Sequence, residues 1–315
     1  MPFLDFPAQL PENRTPRAVI FGAGHGSTYP GKDSSGYTGA ADAIRAASQE
    51  DAGLVGHWDF DLGGPLFEGQ PVCCTDIGNI DTRLHDNAGN RARIEAQTRS
   101  ILALPAVPIL LGGDDSLPIP FLAAFADQGP LWVLQIDAHI DWRDEVNGER
   151  MGLSSNMRRA SEMGHINTIV QLAARGLGSA RRRDVEDALG YGVRFHPMRN
   201  LVEDGGIARA IDNLPAGVPV YIALDVDSLD PSLMPAVIGA APGGLTYWQM
   251  IEIFTRIAER APIIGFNMVE LMPGADINGQ GALLASRLGI SMLGLIAGQI
   301  SRGQISRGQI PRGRP

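Results

Sequence analysis

Short apolar runs alternate with amphipathic stretches along most of this 315-residue chain. Ala18–Phe21, Val107–Leu111, Leu131–Ile136, Thr168–Ala173, Val193–His196, Val218–Leu224 and Ile263–Val269 carry little or no polar face, the pattern of strands buried on both sides. Leu54–Phe60 and Pro71–Thr75 read as two further short strands between glycine-rich turns. Between the runs the apolar period lengthens to that of a helix. Thr38–Glu50 places Ala40, Ala41, Ile44 and Ala47 on one face, and Asn87–Leu104, Pro118–Ala126, Met157–Met163, Ala180–Leu189, Ile207–Leu214 and Tyr247–Ala261 follow suit, with a last helix from Gly281 to Leu295. This alternation predicts an α/β fold of three layers, α/β/α, with a mainly parallel central sheet. In open sheets of this kind ligands sit beyond the carboxyl ends of the strands.

The same pattern bounds the domains. Residues 1–16 form a proline-bearing N-terminal arm, and residues 17–297 form one domain without an internal linker. Residues 298–315 read GQISR-GQISR-GQIPR-GRP, a five-residue repeat with too little apolar content for a core, so a disordered tail is expected.

Composition narrows the setting. With 44% hydrophobic and 19% charged residues the chain can bury a sizeable core. A net charge of −9 argues against nucleic acid or an anionic membrane as partner and tolerates a cationic substrate. Cys73 and Cys74, the only cysteines, are adjacent and poorly placed for a structural disulfide, which fits a reducing cytoplasm. The N-terminus lacks a basic start followed by an apolar core, and no apolar run reads as long enough to span a bilayer.

The candidate chemistry lies at strand ends. LWVLQIDAHID, Leu131 to Asp141, delivers Asp137, His139 and Asp141 at alternate positions. On a straight strand the outer two would stand ~13 Å apart at ~3.3 Å per residue, whereas paired metal ions lie ~3.5–4 Å apart. The chain must curl there if all three serve one cluster. YIALDVDSLD, Tyr221 to Asp230, repeats the design with Asp225 and Asp227, and Val107–Leu111 runs into Gly112-Gly113-Asp114-Asp115-Ser116. Carboxylates gathered in this way repel one another without counter-cations, so together the three strand ends indicate a metal cluster. Two nucleotide-binding lookalikes fail on context. Gly22, Gly24 and Gly26 lead into turn formers rather than a helix, and the GxxxxGK at Gly26–Lys32 is followed by Asp33, which would repel phosphate. His25, in that loop, reads as an ordinary loop histidine more readily than as a substrate contact.

These motifs resemble the ureohydrolases, the family of arginase, agmatinase and other amidinohydrolases. Gly-Gly-Asp-His-Ser, Asp-Ala-His-x-Asp and Asp-x-Asp-x-x-Asp-Pro signatures are matched in that order over most of residues 15–297, with Asp115 where the family usually has a metal-binding His. The resemblance implies an arginase-like fold and two divalent ions, Mn²⁺ on an oxygen-rich ligand set with Ni²⁺ as the alternative. Asp137 and Asp225 would bridge the ions, His139 and Asp227 would complete one, and Asp115 and Asp141 the other. Asp141 would also hold a metal-bridging hydroxide and relay its proton. Glu270, ending IIGFNMVEL, would grip the substrate guanidinium.

The implied activity is hydrolysis of a guanidino compound to urea, or a substituted urea, plus an amine, by a homo-oligomer, trimer or hexamer. A second departure is Leu153, where agmatinases and arginases often place a His, and an apolar side chain there points to a short or alkylated substrate tail. Arg158 and Arg159 read as structural helix charges. Asp115 and Leu153 also leave open a catalytically weak subunit that supports an active homologue in a hetero-oligomer, for example a guanidine or biguanide hydrolase complex. Retention of the other acidic groups argues against that decay. The loops Gly26–Gly39 and Asp144–Ser155 are expected to set specificity.

Overall fold

The computed structural model describes residues 1–12, 14–67, 73–178, 180–212 and 214–303. Eight strands make one sheet: β1 (Ala18–Gly22), β2 (Cys74–Asn79), β3 (Val107–Leu111), β4 (Leu131–Ile136), β5 (Ile166–Leu172), β6 (Arg194–His196), β7 (Val220–Asp225) and β8 (Ile263–Val269). Their order is β2-β1-β3-β8-β7-β4-β5-β6, and every pairing is parallel.

Alternation along each strand divides the core in two. On β4, Trp132, Leu134 and Ile136 face one layer while Leu131 and Val133 face the other. The first layer is covered by α1 (Ala40–Ser48), α6 (Met198–Leu201), α7 (Gly206–Asp212), α8 (Tyr247–Arg260) and α9 (Gln280–Ser301). The second is covered by α2 (Asn87–Leu102), α3 (Pro118–Ala123), α4 (Asn156–Ser161) and α5 (Arg182–Tyr191). The expected three-layer architecture is therefore present. Caps agree with the local sequence: Asp86 accepts from Gly89 N at the start of α2, and Thr246 and Gln249 form a capping box on α8.

Five local expectations change. Leu54–Phe60 is a strand only at Trp58–Asp59. Ala52–Leu54 forms a 3₁₀ turn and Trp58–Asp59 pairs only with Gly64–Pro65, because Asp59 Oδ1 accepts from the backbone of Asp61 and Leu62 and turns the chain. Of Pro71–Thr75, residues 71–72 lie outside the described residues, and the strand runs on to Asn79.

The N-terminal residues are more than an arm. Phe3, Leu4 and Phe6 are buried, and Phe3 N and Leu4 N donate to Asp76 Oδ2 and Ser48 Oγ at 2.7 and 2.9 Å. The last helix extends through Ser301, past Leu295, because Gln299 is buried and spends its side chain on Ala258 O, Ala261 O and Ile263 N. Residues 304–315 lie outside the described residues. At 22 residues and mean hydropathy 1.5, α9 is also long and apolar enough to cross a bilayer, contrary to expectation, but 72% of its apolar window is buried against α1, α8 and the sheet. It is a core helix.

Candidate metal centre

The sheet order decides the site. β3, β8, β7 and β4 are neighbours at its centre, and their carboxyl ends carry Asp115, Glu270, Asp225 with Asp227, and Asp137 with Asp141. Segments far apart in sequence thus converge on a patch about 15 Å wide, at ~4.8 Å between strands. The backbone turns sharply to deliver them. Gly112 and Gly113 take φ of 88° and 70°, and Gly112 N donates to Met268 O of β8 at 2.9 Å. Glu270 and Asp141 adopt φ of 71° and 43°, a conformation costly for residues with a Cβ. The chain does curl after β4, since Asp137 Oδ2 and Asp141 Oδ2 both accept from Gln135 Nε2, at 2.7 and 2.6 Å.

Two ligand-competent sets result, each with one donor atom per residue lying within 4.8 Å of the others: Asp137, His139 and Asp227, and Asp115, Asp137 and Asp141. Asp137 belongs to both. Asp225 falls in neither set. Its Oδ1 accepts from Asp227 N at 2.7 Å, and it is buried among the others. Glu270 stands over Asp115, accepting from Asp115 N on Oε1 at 2.7 Å and from Tyr37 OH on Oε2 at 2.6 Å.

Electrostatics mark the cluster as short of positive charge. All six carboxylates are buried, and among the described residues their only ion-pair partner is His139, whose Nδ1 lies 3.0 Å from Asp227 Oδ2 and 3.3 Å from Asp137 Oδ1. Burial pushes Asp115 and Asp137 far above the usual carboxylate range, and the neighbouring Asp141 charge adds to it in both. Asp225 rises for the same reason, burial first and the Asp227 charge next. Burial together with Asp114 lifts Glu270 to about 8. Asp227 is the exception. Burial raises it, but hydrogen bonding to the His139 ring and from Ala138 N outweighs that and holds it low. His139 is correspondingly pushed up to about 11 by its hydrogen bonds to Asp137 and Asp227.

A divalent cation pair would supply the missing charge, and this donor set fits one: oxygen-rich, with one imidazole, arranged as two sets sharing a carboxylate. The buried Oδ1 of Asn156 and Oδ2 of Asp114, with no hydrogen-bond partner, add unsatisfied polar atoms beside it.

Several residues around the site had not been singled out. Tyr37 reaches Glu270 across 233 positions of sequence. Arg175 is half-buried and donates to the carbonyls of Ala173, Asp227, Ser228, Leu229 and Ala241, fastening the chain around Asp227. Gln135 and Asn156 donate to the ligand sets, and Gln171 donates to Gln135 behind them. The one signal for the glutamines was a lone polar residue inside each of two apolar runs.

Other residues stay outside. His25 is buried with Nε2 3.3 Å from Thr38 Oγ1, and Asp230 accepts from Ser232, Gly243 and Gly244 and closes a loop. Arg158 and Arg159 pair with Asp187, Glu162 and Asp144.

A parallel α/β/α sheet with paired acidic ligand sets beyond its central strands is the architecture of a metal-dependent hydrolase. The chain belongs to the arginase family, whose sequence profile matches residues 16–294, and whose members are metal-dependent hydrolases acting on C–N bonds of guanidino compounds. It is 32% identical over 253 residues to the mitochondrial agmatinase of Gallus gallus, covering 78% of this chain and 72% of that one. It is 31% identical over 233 residues to the mitochondrial guanidino acid hydrolase of Homo sapiens, covering 71% of this chain and 64% of its relative. The structure of proclavaminate amidino hydrolase from Streptomyces clavuligerus superposes with a TM-score of 0.81 at 26% identity, covering 94% of this chain and 97% of that one.

Proposed function

We propose that this chain hydrolyses a guanidino compound with a compact or alkylated tail, using two divalent ions, to give urea or a substituted urea plus an amine. The observation that carries the reading is the buried pair of acidic ligand sets with one shared carboxylate and no lysine or arginine partner among the described residues. Asp137, His139 and Asp227 would hold one ion and Asp115, Asp137 and Asp141 the other, with Asp225 beside them as second bridging ligand. A pair of divalent ions lowers the pKa of water from 15.7 toward ~7 and so supplies a nucleophile at neutral pH, which a resonance-stabilised guanidinium requires.

The protein groups do the rest. Glu270 has one hydrogen bond on each oxygen, and each oxygen keeps a lone pair for a parallel pair of guanidinium N–H groups. The Tyr37 hydroxyl fixes the carboxylate plane. Asp141 takes the proton of the attacking water and passes it to the leaving amine nitrogen. Leu153 is half-buried in the 3₁₀ turn Leu153–Ser155, which Ser154 N anchors by donating to Tyr29 OH at 2.9 Å and which leads into Asn156 on Asp115. Leu153 offers an apolar contact rather than a charge to the substrate tail. Agmatine, guanidinoalkanoates, guanidine and alkylated biguanides span the substrate class. Mn²⁺ suits the oxygen-rich set better than Ni²⁺. A cytoplasmic homo-oligomer is the expected form.

The test is urea or amine release by the purified chain, loaded separately with Mn²⁺ and Ni²⁺, across that panel. One substrate should turn over, and Asp137→Ala, which removes the carboxylate common to both sets, should lower kcat by ~10³-fold or more. Fewer than two ions per chain after loading would end the two-metal reading. Silence across the panel with two ions bound would instead favour a subunit that needs an active homologue.

A further inference from the structure

We infer that Gln135 and Asn156 are positioning residues of the centre: two neutral carboxamides that hold Asp115, Asp137 and Asp141 in ligand orientation without cancelling their charge. The inference rests on the two-metal reading above and deepens it.

Three carboxylates that share one small volume need donors on their remaining oxygens, or they turn away from one another. A lysine or arginine would satisfy them and take the place of a cation. Here the donors are uncharged. Gln135 and Gln171 are partners in the β4–β5 register, and both are buried. Gln171 Nε2 donates to Gln135 Oε1 and, at 2.8 Å, to Ile140 O, so the acceptor end of Gln135 is committed and its amide cannot turn over. Both hydrogens of Gln135 Nε2 then go to carboxylates, Asp137 Oδ2 at 2.7 Å and Asp141 Oδ2 at 2.6 Å. On the far side Asn156 Nδ2 donates to Asp115 Oδ2 and, at 2.9 Å, to Asp115 O. Every member of this set thus has an amide N–H on a side-chain oxygen.

The other set is held by different means. Ala138 N donates to Asp227 Oδ1 at 3.1 Å, and His139 N to Asp137 Oδ1 at 2.6 Å. These are main-chain donors, which no side-chain replacement removes. Asp137 loses Gln135 on Oδ2 but keeps His139 N on Oδ1, so loss of a carboxamide is expected to loosen Asp115 or Asp141 while leaving Asp137, His139 and Asp227 in place. Partners of metal ligands typically contribute about 10–100-fold in metal affinity.

The experiment is calorimetric titration of the chelator-stripped full chain with Mn²⁺, for the wild type, Gln135→Met and Asn156→Leu, with circular dichroism to confirm folding. The expected result is two ions in the wild type, and in each variant one ion bound as before and the other weakened about 10–100-fold. Wild-type affinity at both positions in both variants overturns the inference while leaving the two-metal reading intact, and so does equal weakening of both positions, the mark of a general loss of packing. A wild type that binds fewer than two ions removes the underlying reading and the inference with it. Gln171→Leu, which frees the Gln135 amide to rotate, and Asn156→Ser carry the same comparison if a larger replacement fails to fold.

Discussion

Two places in this sheet bury carboxylate, and they solve the same electrostatic problem in opposite ways. Asp76 on β2 accepts from Arg45 Nε at 2.7 Å and Nη2 at 2.9 Å, a bidentate pair in which both side chains are buried, and it also takes Phe3 N and Gly78 N. Its charge is matched within the chain, and the result is a clamp that fastens the N-terminal residues and α1 to the sheet. At the central strand ends, six carboxylates have one imidazole between them and are oriented by neutral N–H groups. A buried charge that brings its own counter-ion contributes to structure. One that is fixed in place yet left unmatched is prepared for a cation from outside.

The contrast is sharpened most by Arg45→Ala. It strands Asp76 without its partner and should cost about 3–5 kcal/mol in urea unfolding, while the molecules that remain folded bind Mn²⁺ with wild-type stoichiometry. If metal binding fell in proportion, the two regions would not be independent.

A smaller effect should appear in the pH dependence of the metal-free protein. Glu270, at about 8 in the folded chain against an ordinary 4.5, contributes stability fully present below the ordinary value and lost as pH rises through about 8. His139, at about 11 against 6.5, behaves with the same sign over a higher window. Asp227, held low, acts only in acid. The metal-free melting temperature should therefore fall from about pH 6 to about pH 9, each group contributing at most ~1.4 kcal/mol per pH unit. Saturating Mn²⁺ should flatten or reverse the slope, and a rising metal-free slope would contradict the charge balance described.

The smallest effect carries the clearest sign. Asp225→Asn keeps an acceptor for Asp227 N but removes one repelling charge, so in chelator it should stabilise the chain by about 1 kcal/mol. With Mn²⁺ present the variant should lose most of the added stability that the wild type gains from binding. Destabilisation in chelator would show that Asp225 is tied into the fold as Asp76 is.

Much of the candidate site was legible because its candidate ligands follow directly from apolar strands. Asp137, His139 and Asp141, like Asp225 and Asp227, lie within a few residues of one another, and the end of each apolar run alone puts them just beyond the carboxyl end of a strand. Tyr37 and Asn156 were not legible, since nothing near them in sequence says that they meet Glu270 and Asp115. The N-terminal residues were misjudged for a related reason: their prolines suggested an extended arm, whereas Phe3, Leu4 and Phe6 pack among α1, α9, the turn Ala52–Leu54 and Phe67.

The sequence by itself determined the alternation of strands and helices and the three acidic strand ends that indicate a cation cluster, because these depend on local periodicity and on which side chains bind cations; the hydrolase chemistry came from the resemblance of those motifs to a family. Only the tertiary structure decided that β3, β8, β7 and β4 stand side by side, that Asp137 is shared by two ligand sets, and that amides rather than guanidinium groups face the carboxylates. Those outcomes depend on strand order and on the register of Gln135 with Gln171. Long-range packing sets both, and no short stretch of the chain encodes either.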